Sequence, residues 1–535
     1  MNRNTFKVGA ASAALLCFAC QAGGSDAAGG RTLDLLIVGG LVYVGDLAPA
    51  RIADIGIVAD KVVFLGDAAK SRLRTRKTLN AKGMMVAPGF IDAHTHTVDE
   101  LASADPAQRL VARQVMQGVT TSIIGVDGEG TPELKSQIDK FNASGVGQNF
   151  AAYVGFGAIR EKVLGEDARA PTAAELETMK ALAAKGMCEG ALGLSSGLFY
   201  APQSFASTEE VIAVAKEAGR RGGLYDTHQR DEGNSSIGVV ASLQEAIRIG
   251  RESGATLHVA HIKVAGGSKP DGESMAELIK MIEAAQASGQ KVTADQYPWS
   301  AANTGLVDAV IPRWAQDGGR EALLKRFQNP MDVARMKSES KITPGVATAI
   351  MIDVAPNQPE LVGKSLADIA RSWNVDPTEA AIRILKQDDA SVAVFIMTEP
   401  DIRKAMTQPW VMTSSDGRSG GHPRAYASYP RLWTNYVVDQ KVITPVQFVH
   451  RSTGLVADTL GLPGRGYIEP GYFADIVVID PEAYQPKATF AEPKLLSAGV
   501  IDVVVNGRIE LENGKATGVL SGRGIVKAPP AGTCP

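Results

Sequence analysis

Two hydrophobic rhythms divide the chain. Residues 33–66 hold short apolar runs, Leu35-Leu36-Ile37-Val38, Leu41-Val42-Tyr43-Val44, Ile55-Gly56-Ile57-Val58 and Val62-Val63-Phe64-Leu65, parted by glycine and aspartate. Runs of this length bounded by turn formers predict β-strands. Residues 474–479 and 500–505 repeat the pattern, and Asn506-Gly507 predicts a tight hairpin turn. Neither piece is long enough to bury a core alone. The expectation is one small β-sandwich built from both chain ends.

Between them the pattern changes to strand, helix, strand. Ser207-Thr208-Glu209-Glu210 predicts a capping box, followed by a helical stripe of Val211, Ile212, Val214 and Ala215 and a stop at Gly222-Gly223. Residues 224–228 then read as a short buried strand. Ser242-Leu243-Gln244-Glu245 predicts a second capping box, with Gly254 as its stop, before a strand at 257–261. A further helix ends near Gly289, and 292–297 is the third strand. Their last residues, His228, His261 and Tyr297, follow one another at intervals of 33 and 36. That is the βα unit of a parallel sheet, and its repetition predicts a (β/α)₈ TIM barrel. Residues 303–390 fit the rhythm poorly and are expected to form an insertion or lid between late barrel strands.

The division expected is therefore 1–30 leader and tether, 31–85 the first part of the β-sandwich, 86–464 the barrel with its insertion, 465–526 the second part of the sandwich, and 527–535 a tail. The leader reading rests on Arg3 and Lys7, then an apolar stretch over 8–20 too short to span a bilayer, then a Gly, Ser and Ala-rich segment. Cys20 follows Ala19 as a lipid-modified cysteine would, although Cys17 stands where Leu is usual; the alternative is simple cleavage nearby. Either route exports the protein, to the periplasm or to a lipid anchor on a bacterial envelope. Of the four cysteines only Cys188 and Cys534 lie beyond the leader, too few for a disulfide framework. They are expected to be structural or incidental, and nothing suggests a cysteine nucleophile. No transmembrane span is expected. A net charge of −3 leaves no global electrostatic footprint for nucleic acid.

The chemistry is concentrated at predicted strand ends. The run Val86 to His96 is an apolar strand closing in His94-Thr95-His96. Alternate side chains of a strand share a face, so both imidazoles can meet one metal. His228 and His261 end two successive strands, where barrel active sites lie. Four of the seven histidines thus gather at strand ends. His258, three residues before His261, has opposite strand parity and is expected to face the outer helices; His450, in a helical stretch, is assigned no role. Residues 411–416 form another strand ending in Asp416, an acid able to ligate a metal and to take a proton from water. Ile123-Ile124-Gly125-Val126-Asp127-Gly128 by itself reads as a strand and a plain turn.

Together these residues resemble the amidohydrolase superfamily and, within it, the D-aminoacylases (N-acyl-D-amino-acid deacylases). The resemblance covers almost the whole mature chain. It runs through Pro88 to His96, Gly118-Val119-Thr120-Thr121, Gly193-Leu194-Ser195-Ser196-Gly197-Leu198, Thr227 to Gly233, His261-Ile262-Lys263, Ser415-Asp416-Gly417, His422-Pro423-Arg424-Ala425-Tyr426, Ile468-Glu469-Pro470-Gly471 and Ala474-Asp475-Ile476-Val477. It implies one or two zinc ions, with His94, His96 and Asp416 as one site and His228 and His261 as another. Asp127 stands where the family's bridging cysteine would, and a carboxylate is the harder ligand. The resemblance also implies that Lys263, Tyr297 and Arg424 hold a substrate carboxylate, for which an Arg fork and a Lys are chemically suited. Tyr200 either lines that pocket or packs in the core.

The expected activity is hydrolysis of the linear amide of a small-molecule N-acyl-D-amino acid, with Asp416 as the catalytic acid and base. Alternatives are a dipeptidase for D-residue peptides, a cyclic-amide hydrolase of the hydantoinase type, and, more remotely, a non-catalytic exported binding protein.

Overall fold

The computed structural model describes residues 32–269 and 273–534. The predicted leader, with Cys20, lies outside the described residues.

Eight parallel strands form the barrel: Phe90–Asp92, Val119–Ile124, Asn149–Ala152 resuming after Tyr153 as Val154–Gly155, Gly193–Gly197, Leu224–His228, Thr256–Val259, Val292–Gln296 and Val411–Thr413. Each pairs in parallel with the next. The ring closes just beyond the strand ends, where Gly417 pairs with Thr95 and Arg418 with His96. Outward residues such as Leu194, Tyr225, Leu257, Val259 and Ala294 pack on the helices, while Ile91, Ile123, Leu192, Leu224 and Met412 fill the interior.

The helix Thr208–Gly219 starts where its cap predicts, with Ser207 accepting from Glu210 N. The second predicted box does not cap. Its helix spans Val239–Ser253 behind Gly238, and the Ser242 hydroxyl, inside the first turn, accepts the Asp231 N–H instead at 2.9 Å. Gly254 ends that helix in the left-handed region.

Both chain ends enter one small β-domain. Its sheet path joins the C-terminal strands to Met85–Pro88 and on to Thr32–Val42, Arg51–Val58 and Lys61–Gly66. Period-two alternation serves two cores. Val86, Ile476, Val478 and Val504 close on Ile37, Ile55 and Ile57 inside the domain, while Met85, Ala87, Val477, Ile479, Val503 and Val505 pack on Phe90, Val119 and Tyr429 of the barrel side. The apolar run before His94 is thus two strands, one in each body, with the chain crossing at Gly89. A Cβ there would lie 2.1 Å from Thr120 Oγ1, so only glycine permits the crossing.

The segment between barrel strands seven and eight is an ordered lobe. The strands Ala301–Gly305, Ile350–Val354 and Ser391–Phe395 form an antiparallel sheet, and Leu306, Ile352, Leu366, Ile382 and Val392 build a core of their own beneath its helices. The final tail runs beside the barrel, with Gly522 and Gly524 bridging to Val146 and Phe150. It ends in a disulfide between Cys188 and Cys534, 346 residues apart. Of the two expectations for these cysteines, structural or incidental, the bond makes them structural. Among the described residues no helix is long and apolar enough to cross a membrane.

Candidate metal centre

Five barrel strands deliver the cluster to one rim. His94 and His96 follow the first strand, Asp127 the second, His228 ends the fifth, His261 follows the sixth and Asp416 the eighth. Three of these residues have left-handed backbones: Asp127 at φ 54°, His261 at 35° and Asp416 at 47°. Such conformations are costly for residues with a Cβ and gather at functional sites. Here they turn each side chain inward at once, where an extended strand would carry it upward.

Asp127 lies at the centre. Its Oδ1 is 3.3 Å from His94 Nε2, 3.6 Å from His261 Nε2 and 3.9 Å from His228 Nδ1, while Oδ2 is 3.6 Å from His96 Nε2. Asp416 Oδ1 is 3.4 Å from His96 Nε2 and 3.8 Å from His94 Nε2. Ligand atoms around a tetrahedral zinc with bonds near 2.1 Å are about 3.4 Å apart. The donor set is also electrostatically suited to a cation. Burial opposes charging His94, yet Asp127 and Asp416 pull its pKa up to about 10. Burial opposes ionising Asp127, yet His94, His261 and His228 hold it well below the usual carboxylate range. Both ring nitrogens of His94 and of His228, with Asp127 Oδ1, are buried and make no hydrogen bond. Groups of this kind are costly to bury unsatisfied, and a divalent cation among them would satisfy one nitrogen of each ring together with Asp127 Oδ1. The residues fit one or two zinc ions, with Asp127 placed to bridge.

His96 is backed from behind. Its Nδ1 lies 3.2 Å from Glu129 Oε2, and Arg418 holds Glu129 at 2.7 Å. This leaves Nε2 for the cluster. Nothing in the sequence marks Glu129, two residues after Asp127, as a partner of His96. The same holds for Asp92, whose Oδ1 accepts the Ser415 N–H at 2.9 Å and whose Oδ2 accepts from Gln114 at 3.1 Å. Asp92 belongs to the quoted motif, but its partner lies 323 residues away and could not be read locally.

His258 is placed differently from the expectation. It faces the barrel interior, with Nε2 2.8 Å from Asp295 Oδ2 and Nδ1 2.9 Å from Thr293 Oγ1. The strand ends at Val259, and the positive φ at His261 breaks the alternation from which opposite parity was inferred. His258 and His261 therefore both point inward, at different depths. His450 binds the Gly45 carbonyl at 2.9 Å, away from the cluster.

The residues expected to seat a carboxylate converge beside Asp416. The Arg424 guanidinium carbon is 4.7 Å and Lys263 Nζ 5.6 Å from the Tyr297 ring centre. Arg424 also pairs with Asp416 Oδ2 at 2.7 Å, and its buried Nε makes no hydrogen bond. His422 accepts the Arg424 N–H at 3.0 Å, at the start of the helix Arg424–Arg431. Tyr200 lines the cavity, its ring 4.8 Å from that of His228. The cavity has a volume of about 1530 Å³ and is roofed by lobe residues including Thr304, Asp308, Ile311 and Arg313.

Residues 85–509 match the family model described as "Amidohydrolase family". A D-aminoacylase of Alcaligenes xylosoxydans xylosoxydans is 31% identical over 524 residues, covering 93% of this chain and 98% of that one. A crystal structure of D-aminoacylase, described as defining a novel subset of amidohydrolases, superposes with a TM-score of 0.79 at 31% identity, covering 92% of this chain and all of that one. The N-acyl-D-glutamate deacylase of Bordetella bronchiseptica, solved with zinc and a phosphonate mimic of the tetrahedral intermediate, gives a TM-score of 0.78 at 29% identity, over 93% of this chain and all of that one.

Proposed function

This chain belongs to the amidohydrolase family, and on that premise we propose that it hydrolyses the linear amide of N-acyl-D-amino acids, releasing a carboxylate and a free D-amino acid. The observation that carries this reading is the adjacency of two devices. Asp416 faces the imidazole cluster with one oxygen and the Arg424 guanidinium with the other. A substrate whose α-carboxylate is bound by Lys263, Tyr297 and Arg424 would thus lie with its amide against Asp416 and the metal-ligand set. The D configuration and the N-acyl group are taken from the named relatives.

Zinc held by His94, His96, Asp127, His228, His261 and Asp416 supplies Lewis acidity. The protein's own groups do the remainder. Arg424 and Lys263 orient the carboxylate, and Tyr200 and the lobe limit access of water from above. Asp416 takes a proton from the attacking water and returns it to the leaving amide nitrogen. The ionised form needed as acceptor is favoured: burial would raise the Asp416 pKa, but Arg424 beside it, with His261, holds it far below the usual range.

The cavity, larger than the roughly 300–1,000 Å³ of most small-molecule sites, favours a second substrate, peptides ending in a D-residue, over acetylated amino acids alone. The hydantoinase-type alternative has less support. Lys263 Nζ lies 2.6 Å from Glu232 Oε1, the contact of an ammonium. The deciding assay follows release of amino acid from N-acetyl-D- and N-acetyl-L-substrates, with zinc and with a chelator. Chelator-sensitive preference for D supports the reading; metal-bound protein inert on every N-acyl amino acid overturns it.

We also propose that the protein works outside the cytoplasm. The leader read over residues 1–30 supports this, as does the Cys188–Cys534 disulfide, a bond that persists in oxidising compartments. Recovery of the protein in the cytosolic fraction with both thiols free would refute it. Lipid attachment at Cys20 is the finer proposal, tested by loss of membrane association in Cys20→Ser.

A further inference from the structure

Glu232 stands on the side of His228 and His261 turned away from Asp127. His261 directs Nε2 to Asp127 and Nδ1 to Glu232 Oε1, at 3.6 and 3.1 Å. His228 does the converse, with Nδ1 3.9 Å from Asp127 and Nε2 3.5 Å from Glu232 Oε2. One carboxylate therefore addresses both rings through the nitrogens that Asp127 does not use. A neutral imidazole carries a single N–H, so a ring that offers one nitrogen to a metal carries its proton on the other. Metal-binding histidines characteristically donate that proton to a carboxylate, carbonyl or water.

The same carboxylate holds Lys263. The Lys263 ammonium donates to Glu232 Oε1 at 2.6 Å and lies 2.6 Å from His261 Nδ1. His228, Glu232 and His261 together form a donor set that could hold a metal ion, but the ammonium already provides the positive charge at that position. The loop carrying Glu232 is stiffened from within. Asp231 accepts backbone N–H groups from Gly233, Ser235, Ser236 and Gly238.

We propose that Glu232 is a positioning residue with two duties: as the acid beside His228 Nε2 and His261 Nδ1 it orients both rings towards the metal-ligand set, and it anchors Lys263 beside the carboxylate seat. This rests on the metal-centre reading above. His228 is then a ligand through Nδ1 and His261 through Nε2, and substrate binding and metal binding share one supporting carboxylate.

The test uses the full mature chain, stripped of metal and titrated with zinc against a chromophoric chelator. Glu232→Gln should weaken zinc binding about 10- to 100-fold, the usual effect of losing such a partner, and should raise KM for N-acetyl-D-amino acids. Because Glu232→Gln leaves Lys263 buried without its partner, the double variant Glu232→Gln/Lys263→Met is measured beside it. Zinc binding weakened in both variants supports the proposal. Zinc binding restored in the double variant overturns it, since Glu232 would then act only through Lys263. Loss of one whole zinc equivalent, the other binding as in wild type, also overturns it, making Glu232 a direct ligand. His261→Ala separates the two readings. Zinc retained there overturns the metal centre and this inference with it; zinc lost there but held normally by Glu232→Gln overturns this inference alone.

Discussion

The backbone N–H of Asp416 donates to the carbonyl of His94 at 3.0 Å, joining the end of the eighth barrel strand to the end of the first. Asp92 reinforces the seam one step away by accepting the Ser415 N–H. Closing the barrel and assembling the cluster are therefore one event. The strand pairing that completes the ring brings the acid and the histidine pair, more than 300 residues apart in the chain, to one place.

Asp416→Asn keeps the shape of the side chain and removes the base. Turnover of N-acetyl-D-amino acids should fall about 10²- to 10⁴-fold, the range of general acid–base contributions. Circular dichroism and the melting curve should stay close to wild type. Full activity in this variant would dismiss Asp416 as the proton carrier.

Among the described residues, Asp127 is the one acid facing all four clustered imidazoles. Asp127→Ala should abolish bridging and lower zinc stoichiometry, read by metal analysis after dialysis. Asp127→Cys should recover zinc but shift preference toward softer metals, because thiolate favours zinc over manganese more than carboxylate does. An unchanged zinc-to-manganese affinity ratio in Asp127→Cys would argue that Asp127 does not touch the metal.

Arg424→Lys retains a charge but loses the planar fork. The expected result is a rise in KM of about tenfold or more for substrates with a free α-carboxylate, and little change for the corresponding amides, which have no carboxylate to seat. Equal effects on both would remove Arg424 from substrate binding.

Glu510, in the β-domain, carries a pH dependence independent of the metal. Burial lifts its pKa from 4.5 to about 8, against the opposing hydrogen bonds from Ser521. The folded value lies above the unfolded one, so its contribution to stability is complete below about pH 4.5 and is lost as pH rises through about 8. Glu510→Gln keeps an oxygen for Ser521 and cannot ionise. Its melting temperature should decline less than that of wild type between pH 5 and 9 and exceed it at the alkaline end. Parallel curves for the two proteins would exclude Glu510 as the source.

The ligand types were legible because each sits at the end of an apolar run, and such runs are local. His94, His96, His228 and Asp416 could be read as rim residues from strand periodicity alone. Asp127 could not, since an Asp-Gly pair after a strand is equally a turn; only the family resemblance gave it a role. Glu129, Glu232 and Asp92 were missed because acids near a motif carry no mark of their direction. His258 was placed on the wrong face because parity counting assumes an extended chain as far as His261, and the backbone leaves that geometry two residues earlier.

The sequence by itself determined the barrel's βα repeat, the shared β-domain and the chemical inventory of the rim, since these follow from hydrophobic period and residue type. Tertiary structure alone decided the orientations and the distant pairings: the Glu232 contact to two histidines, the Asp92–Ser415 seam and the Cys188–Cys534 link. The physical reason is that periodicity predicts direction only while the backbone stays regular. The site is built where the backbone turns left-handed, from residues whose partners are set by closure of the ring.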